Sequence, residues 1–281
     1  MKKLSIALLI LAALHGWPRV DAAGLGKGAI EVEVQSEYSH ILIRRQGNMR
    51  SMNFLRDNGV EQIQTAWNMK QPYDLMTQYS RLMFASYFFM SEQKQVLIIG
   101  LGGGAMVHFY EHYDPEVKVD VVEIDEKVVQ LAEKYFDVRT QKNTNIITQD
   151  AFKYFKSNKT RYDVIYMDAF LKPSEGTDAT GQPLRLKTIA FYKGLHAQLT
   201  PEGIVVINLN AHPRTNDDMA AIRSAYPQSY AFKAPTPNII VVCTLDKTRV
   251  TAAALHERAK ELDRRFKATF TFQSVLGTMG R

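Results

Sequence analysis

The stretch VLIIGLGGGA sets four glycines, Gly100, Gly102, Gly103 and Gly104, directly behind strand-type residues and ahead of a helix-type segment. Glycine there lets the backbone turn tightly and approach a ligand, and the N–H groups that open the helix point at whatever is bound. Glu123 closes the next apolar run, VDVVEID, at the spacing of about twenty residues expected of an acid that accepts from ribose hydroxyls. Two further acids close later runs. Asp150, in TQDAF, sits where a carboxylate can accept from the exocyclic amine of adenine, although a helix N-cap explains it equally well. Asp168, in YMDAF, ends a strand beside the place where a reacting centre lies in an open α/β crevice. The long polar loop that follows it, residues 171–183, has the length of a lid. These features predict a nucleoside-binding site. The GxGxxA spacing also fits a dinucleotide fold, but such folds open near the N-terminus and this turn begins only at residue 100.

Several elements must hold those residues in place. From Gln95 onward, Val- and Ile-rich runs (VLIIG, VDVVEID, NIITQD, YDVIYMD, GIVVINLN) alternate with helix-length amphipathic segments, the pattern of a parallel sheet covered on both faces. PNIIVVCTLD and the amphipathic TAAALHERAKELDRRF read as a last strand and a closing helix. Residues 29–67 instead alternate apolar and polar with period two, with turns at Gln46-Gly47-Asn48 and Asp57-Asn58-Gly59, which predicts an antiparallel meander. Residues 73–90 carry apolar side chains at helical spacing behind Pro72. The expected fold is therefore a doubly wound, Rossmann-like α/β sheet with a small N-terminal β appendage.

Composition narrows the function. The chain has 281 residues, 46% of them hydrophobic, and a single cysteine, Cys243, which excludes zinc ribbons, iron–sulfur clusters and disulfide scaffolds. The formal charge of +6 is spread through the chain without a basic run, so nucleic acid is not an expected partner. The opening MKKLSIALLILAALHGWPRVDAAG has a positive n-region, an apolar run and a small-residue site, the layout of a secretory signal peptide cleaved after Ala22. The apolar run is too short to span a bilayer comfortably. The expected organisation is a signal peptide at 1–22, a β-meander at 29–67 and a Rossmann-like domain at 68–281. The product is exported or periplasmic if the signal is cleaved, and cytoplasmic or membrane-tethered if it is kept.

Other chemistry is weakly supported. His108 and His112 stand four apart on a helix but no acid completes an HExxH metal site, so they read as a surface pair. No GxSxG elbow accompanies a serine or Cys243, which lies mid-strand and reads as core. Tyr226, Tyr230 and Phe232 read as core or sheet edge, with an acceptor-pocket lining as the alternative.

The set VLIIGLGGG, VVEID, QDAF, YDVIYMDAF and FYKGLHAQLTPEGIVVINL resembles the spermidine synthase (polyamine aminopropyltransferase) family over residues 30–245. The resemblance implies a class I methyltransferase-type sheet, a dimer or tetramer, decarboxylated S-adenosylmethionine as co-substrate and a small-molecule amine such as putrescine as acceptor. It implies that the glycine turn holds the donor, with Glu123 on the ribose and Asp150 on the adenine. Asp168 is then the catalytic base that takes the amine proton, and Tyr79 and Asp168 contact the acceptor. The departures are as informative. Gly103 stands where the family has an aspartate that meets the donor amine. Leu171 stands where the family loop has its second acid, and Ser80-Arg81-Leu82 replaces a Tyr-His-Glu run. Ser39 or His40 replaces a strand glutamine. Two carboxylates that grip amines are gone, and Arg81 and Lys172 suit an anionic group if they face the pocket. The alternatives are methyl transfer from S-adenosylmethionine on the same scaffold, or an exported nucleoside- or polyamine-binding protein without turnover.

Overall fold

The computed structural model describes residues 28–280; the expected signal peptide lies outside them. Four strands, β1 (Ala29–Gln35), β2 (His40–Gln46), β3 (Met49–Leu55) and β4 (Glu61–Asn68), form an antiparallel sheet in chain order. Gly47 and Gly59 take the left-handed conformation that the two tight turns require, with φ of 59° and 79°. One face of this small sheet buries Ile41, Ile43, Met52 and Phe54, which join the apolar cluster on one side of the main sheet.

The helical reading of residues 73–90 is too long. The helix, α1 (Gln78–Met83), starts only after Thr77 and passes into a 3-10 turn over Phe84–Phe88. The preceding residues are held by local side-chain-to-backbone bonds: Trp67 Nε1 donates to the Pro72 carbonyl at 3.1 Å, and Arg81 Nε donates to the Leu75 carbonyl at 2.7 Å. Those bonds outweigh the local periodicity.

The main sheet has seven strands: β5 (Gln95–Ile99), β6 (Lys118–Glu123), β7 (Thr144–Thr148), β8 (Tyr162–Met167), β9 (Leu199–Asn210), β10 (Gln228–Lys233) and β11 (Asn238–Thr244). Their order is β10-β11-β9-β8-β5-β6-β7, with β5 to β9 parallel and β11 antiparallel to both β9 and β10. The reason for continuous Val/Ile runs is visible in β5. Val96 and Ile98 enter the apolar cluster on one face, and Leu97 and Ile99 enter the cluster on the other. Each such side chain is worth about 1.5–3 kcal/mol when fully buried, so a parallel central strand has no polar side to spare. The crossovers and the closing segments supply α2 (Ala105–Tyr113), α3 (Glu126–Phe136), α4 (Ala151–Ser157), α5 (Ile189–Leu195), α6 (Thr215–Ala225), α7 (Ala252–Phe266) and α8 (Phe272–Leu276).

The topology fixes where a ligand can sit. The chain leaves β5 for β6 on one side and returns to β8 on the other, so β5 and β8 flank the switch point of the sheet. Ile99 pairs with Met167, and the Asp168 N–H donates to the Ile99 carbonyl at 2.9 Å. Gly100 and Asp168 therefore leave the sheet side by side. Among the described residues no helix is long and apolar enough to cross a membrane.

Candidate active site

A cavity of about 300 Å³ opens at the carboxyl ends of β5, β6 and β8. Its floor is the glycine turn. Gly100, Gly102 and Gly104 have φ of 98°, 53° and 71°, a conformation that side chains disfavour. At Gly100 the constraint is also spatial: a Cβ would stand 2.3 Å from the Asp168 carbonyl oxygen. Gly100, Gly102 and Gly104 line the cavity, whereas Gly103 turns away from it. The Gly103 N–H donates to Thr65 Oγ1 at 2.8 Å, and a Cβ on Gly103 would meet the Thr65 methyl at 2.7 Å and Phe136 at 2.9 Å. Strand β4 thus closes the seat where the family carries an aspartate.

Glu123 lines the cavity at the end of β6 and is buried. Its two oxygens accept from the N–H groups of Leu101 and Asp125, each at 2.9 Å. Burial raises its pKa, and the same two N–H groups oppose that rise. The carboxylate is locked in place, yet each oxygen keeps a lone pair for a ligand hydroxyl.

Asp150 is the N-cap of α4: Oδ1 accepts from the Phe152 N–H at 2.7 Å and the Lys153 N–H at 3.4 Å. Its other oxygen pairs with the Arg185 guanidinium, which also lies 4.4 Å from the centre of the Phe152 ring. Burial alone would raise the pKa of Asp150; Arg185 and the helix N–H groups outweigh it and hold it below the ordinary value. Gln149, Ala151, Phe152 and Arg185 line the cavity, and Asp150 stands just behind them.

Asp168 borders the glycine turn. Its Oδ1 accepts from Asn208 Nδ2 at 2.8 Å, and Asn208, 1% exposed, is held in turn by Asn238 Nδ2 at 3.1 Å. No other side chain among the described residues donates to Asp168. Burial pushes its pKa up to about 7, with the Asn208 bond pulling the other way. A carboxyl group so placed exchanges a proton near neutral pH, which an ordinary aspartate does not. Tyr79, from α1, donates its hydroxyl to the Gln64 carbonyl at 3.1 Å; burial, with the Asp168 charge adding to it, keeps its pKa well above the usual phenol value.

Beyond Tyr79 lies a second cavity of about 680 Å³, which shares Gln64, Tyr79 and Phe170 with the first and is also lined by Asn208. The loop 171–183 folds over the first cavity, fastened by the Leu171 N–H on the Gly181 carbonyl at 2.8 Å, and Leu171, Ser174, Gly176, Thr177 and Pro183 line it. This loop is anchored from behind. Lys187 Nζ lies 2.6 Å from Asp178 of the loop and 2.5 Å from Asp218 of α6, with His212 Nε2 3.2 Å away. Asp178, His212 and Asp218 have metal-ligand spacing, but the Lys187 ammonium already supplies the cation between the two carboxylates.

The structure therefore brings the glycine turn, Glu123, Asp168 and Tyr79 to one cavity, with Asp150 at its back. Arg81 lines the second cavity; Lys172 lines neither and is paired with Asp57. Tyr226, Tyr230 and Phe232 are buried and line neither cavity, and Cys243 is fully buried on β11. The surface reading of the His108–His112 pair holds for the exposed His112 and fails for His108. His108 is 5% exposed, bonded to the Phe136 carbonyl at 2.8 Å and stacked on Trp67, while His112 stacks on Tyr73. Sequence reasoning missed Thr65, Asn208 and Arg185. Asn208 carried a usable signal: INLN ends a Val/Ile strand in polar residues, as VVE and YMD do.

Comparison with known proteins agrees with this geometry. The model for the spermine/spermidine synthase domain matches residues 76–262. A polyamine aminopropyltransferase from Vibrio vulnificus is 31% identical over 217 residues, covering 75% of this chain and 70% of its own. In fold, a probable spermidine synthase from Corynebacterium glutamicum aligns with a TM-score of 0.68 at 20% identity, over 90% of this chain and 96% of that one. Human methyltransferase-like protein 13, solved with SAH, aligns at 0.63 and 22% identity, over 69% and 94%. The seven-stranded methyltransferase-type sheet, the glycine turn at its switch point and the match over most of the chain lead to one conclusion: the protein belongs to the spermine/spermidine synthase family.

Proposed function

We propose that the protein transfers the aminopropyl group of decarboxylated S-adenosylmethionine to an amine, with Asp168 as the catalytic base. The observation that carries this reading is the state of Asp168: at the switch point, beside the glycine turn, with its pKa pushed up to about 7 and one supporting bond from Asn208. An ammonium has no lone pair to attack with, so the acceptor must lose a proton to a nearby base. A carboxylate titrating near neutrality accepts that proton and releases it again to solvent at the same pH.

The remaining residues take positioning roles. Gly100, Gly102 and Gly104 let the backbone approach the donor, and Glu123, fixed by two N–H groups, offers its free lone pairs to the ribose hydroxyls. Asp150, at the back of the cavity, faces the adenine end, with Arg185 and Phe152 in the wall between. Tyr79, which lines both cavities, sits between donor and acceptor. The loop 171–183 excludes water from the sulfonium, and a dry site strengthens every charge interaction inside it.

Methyl transfer from S-adenosylmethionine is favoured as a second reading by one observation. The Gly103 seat is filled by Thr65, so no acid stands at that position to repel a donor carboxylate. Mass spectrometry of the products separates the two. Aminopropyl transfer releases methylthioadenosine from the decarboxylated donor; methyl transfer releases S-adenosylhomocysteine from the intact one. Enzyme-dependent methylthioadenosine, lost in Asp168→Asn, is the expected result, and release of neither product by folded protein across a panel of amines overturns the proposal.

A further inference from the structure

We propose that the second cavity receives an amine that carries a carboxylate, an ω-amino acid in place of a diamine; this rests on the transfer reading above. A diamine brings two ammonium groups. One meets Asp168, and the other needs a counter-charge once it leaves water. Among the described residues no Asp or Glu lines the second cavity. Its polar wall consists of amides and cations, chiefly Gln62, Gln64, Asn210, Asn238 and Arg56.

Arg56 marks where the anionic end belongs. Its Nη2 donates to Gln62 Oε1 at 2.6 Å and its Nη1 reaches the Ala179 carbonyl at 3.4 Å, but its Nε is buried without any hydrogen-bond partner. A buried guanidinium N–H is costly to leave unmade, and a carboxylate both accepts from it and neutralises the charge. The acids nearby are drawn elsewhere. Asp57, next in sequence, pairs with Lys172, and Asp178 and Asp218, behind His212, hold Lys187. The cavity thus offers a cation and neutral amides where a polyamine site needs an anion.

The reacting end is unchanged. The amine gives its proton to Asp168, and its lone pair forms the new C–N bond at the propyl carbon. The C–S bond breaks with its electron pair going to sulfur, so methylthioadenosine leaves uncharged. The distal carboxylate is held by Arg56 and is not consumed.

Equilibrium dialysis of the full-length protein saturated with methylthioadenosine, against labelled 4-aminobutyrate or putrescine, tests the pocket apart from turnover. The two probes share a four-carbon amine and differ in the distal group. The expected result is tighter binding of 4-aminobutyrate by at least about tenfold, with that ratio falling at least about tenfold in Arg56→Gln and partly restored in Arg56→Lys. Tighter binding of putrescine, or a ratio unmoved by Arg56→Gln, overturns the proposal. If Arg56→Gln does not fold, the wild-type ratio alone decides. Parallel assays with decarboxylated S-adenosylmethionine read the transfer step: silence with every amine sinks the transfer reading, while the dialysis still decides what the cavity holds.

Discussion

The two cavities that meet at Tyr79 are built from opposite chemistry. The first is lined by the glycine turn and by the acids Glu123, Asp125 and Asp168, all at strand ends of a parallel sheet. The second is lined by amides and arginines and by no acid among the described residues. The contrast teaches that the proposed donor side is set by backbone geometry and the proposed acceptor side by side chains. The donor side is tied to backbone geometry, because Gly100 and Asp168 leave the sheet together and Glu123 bonds the turn itself. The acceptor side is assembled from side chains on several elements, and each can change without moving the sheet.

If that division holds, substitutions sort by which substrate they affect. The largest combined effect on turnover and stability is expected from Gly100→Ala, where φ of 98° and a Cβ 2.3 Å from the Asp168 carbonyl displace the turn and the base together. Turnover should fall about a thousandfold and Tm by roughly 5–10 °C, since strain of a few kcal/mol is spread over a domain of this size. Calorimetric unfolding and steady-state kinetics check both. A variant with wild-type activity breaks the link between turn and base.

Glu123→Gln comes next and belongs to the donor side alone. The amide keeps one acceptor oxygen, so one of the Leu101 and Asp125 N–H bonds is lost along with the charge. The donor KM should rise about 10–100-fold while the preference among amines stays put. A changed amine preference would show that the halves are not independent.

Asn208→Ala sits on the boundary. Removing its Nδ2 takes away the bond that favours the Asp168 carboxylate, so the pKa moves further above about 7. The low-pH limb of kcat/KM should shift up by about one unit, costing about fivefold at pH 7 and approaching about tenfold at lower pH. The sign is fixed: the base works only when deprotonated, so activity is lost as pH falls through its pKa. A downward shift refutes the arrangement. The smallest effect is expected from Cys243→Ala. The thiol is fully buried in the sheet and burial pushes its pKa far up, so it is inert core: stability should drop by about 1 kcal/mol with kinetics unchanged.

Much of the donor side was legible in the residues because it is local. Glycines follow a strand within one segment, and Glu123 and Asp168 end apolar runs. The sheet was legible for the same reason, since strands buried on both faces read as unbroken Val/Ile runs. The edge strand β10 was legible only in part: Tyr230 and Phe232 read as core or sheet edge, but six residues with two buried side chains do not mark a strand's ends. The start of α1 was not legible, being set by side-chain bonds from Trp67 and Arg81 to nearby backbone carbonyls. The rest of the site escaped because its members meet only in space. Thr65 reaches Gly103 across 38 positions and Asn208 reaches Asp168 across 40, with no period or motif to announce either contact. Arg81 stands out only because it departs from a family pattern.

The central claim, that Asp168 is the base of an adenosyl-sulfonium transfer, is tested most directly by comparing wild type with Asp168→Asn. Methylthioadenosine release would be followed across pH, with donor binding measured by calorimetry on the same preparations. The account predicts a wild-type kcat/KM that rises through pH about 7, a loss of about 10²–10⁴-fold in the variant, and donor affinity nearly unchanged. Equal turnover in the two proteins, or a wild-type profile that is flat across neutrality, would contradict it.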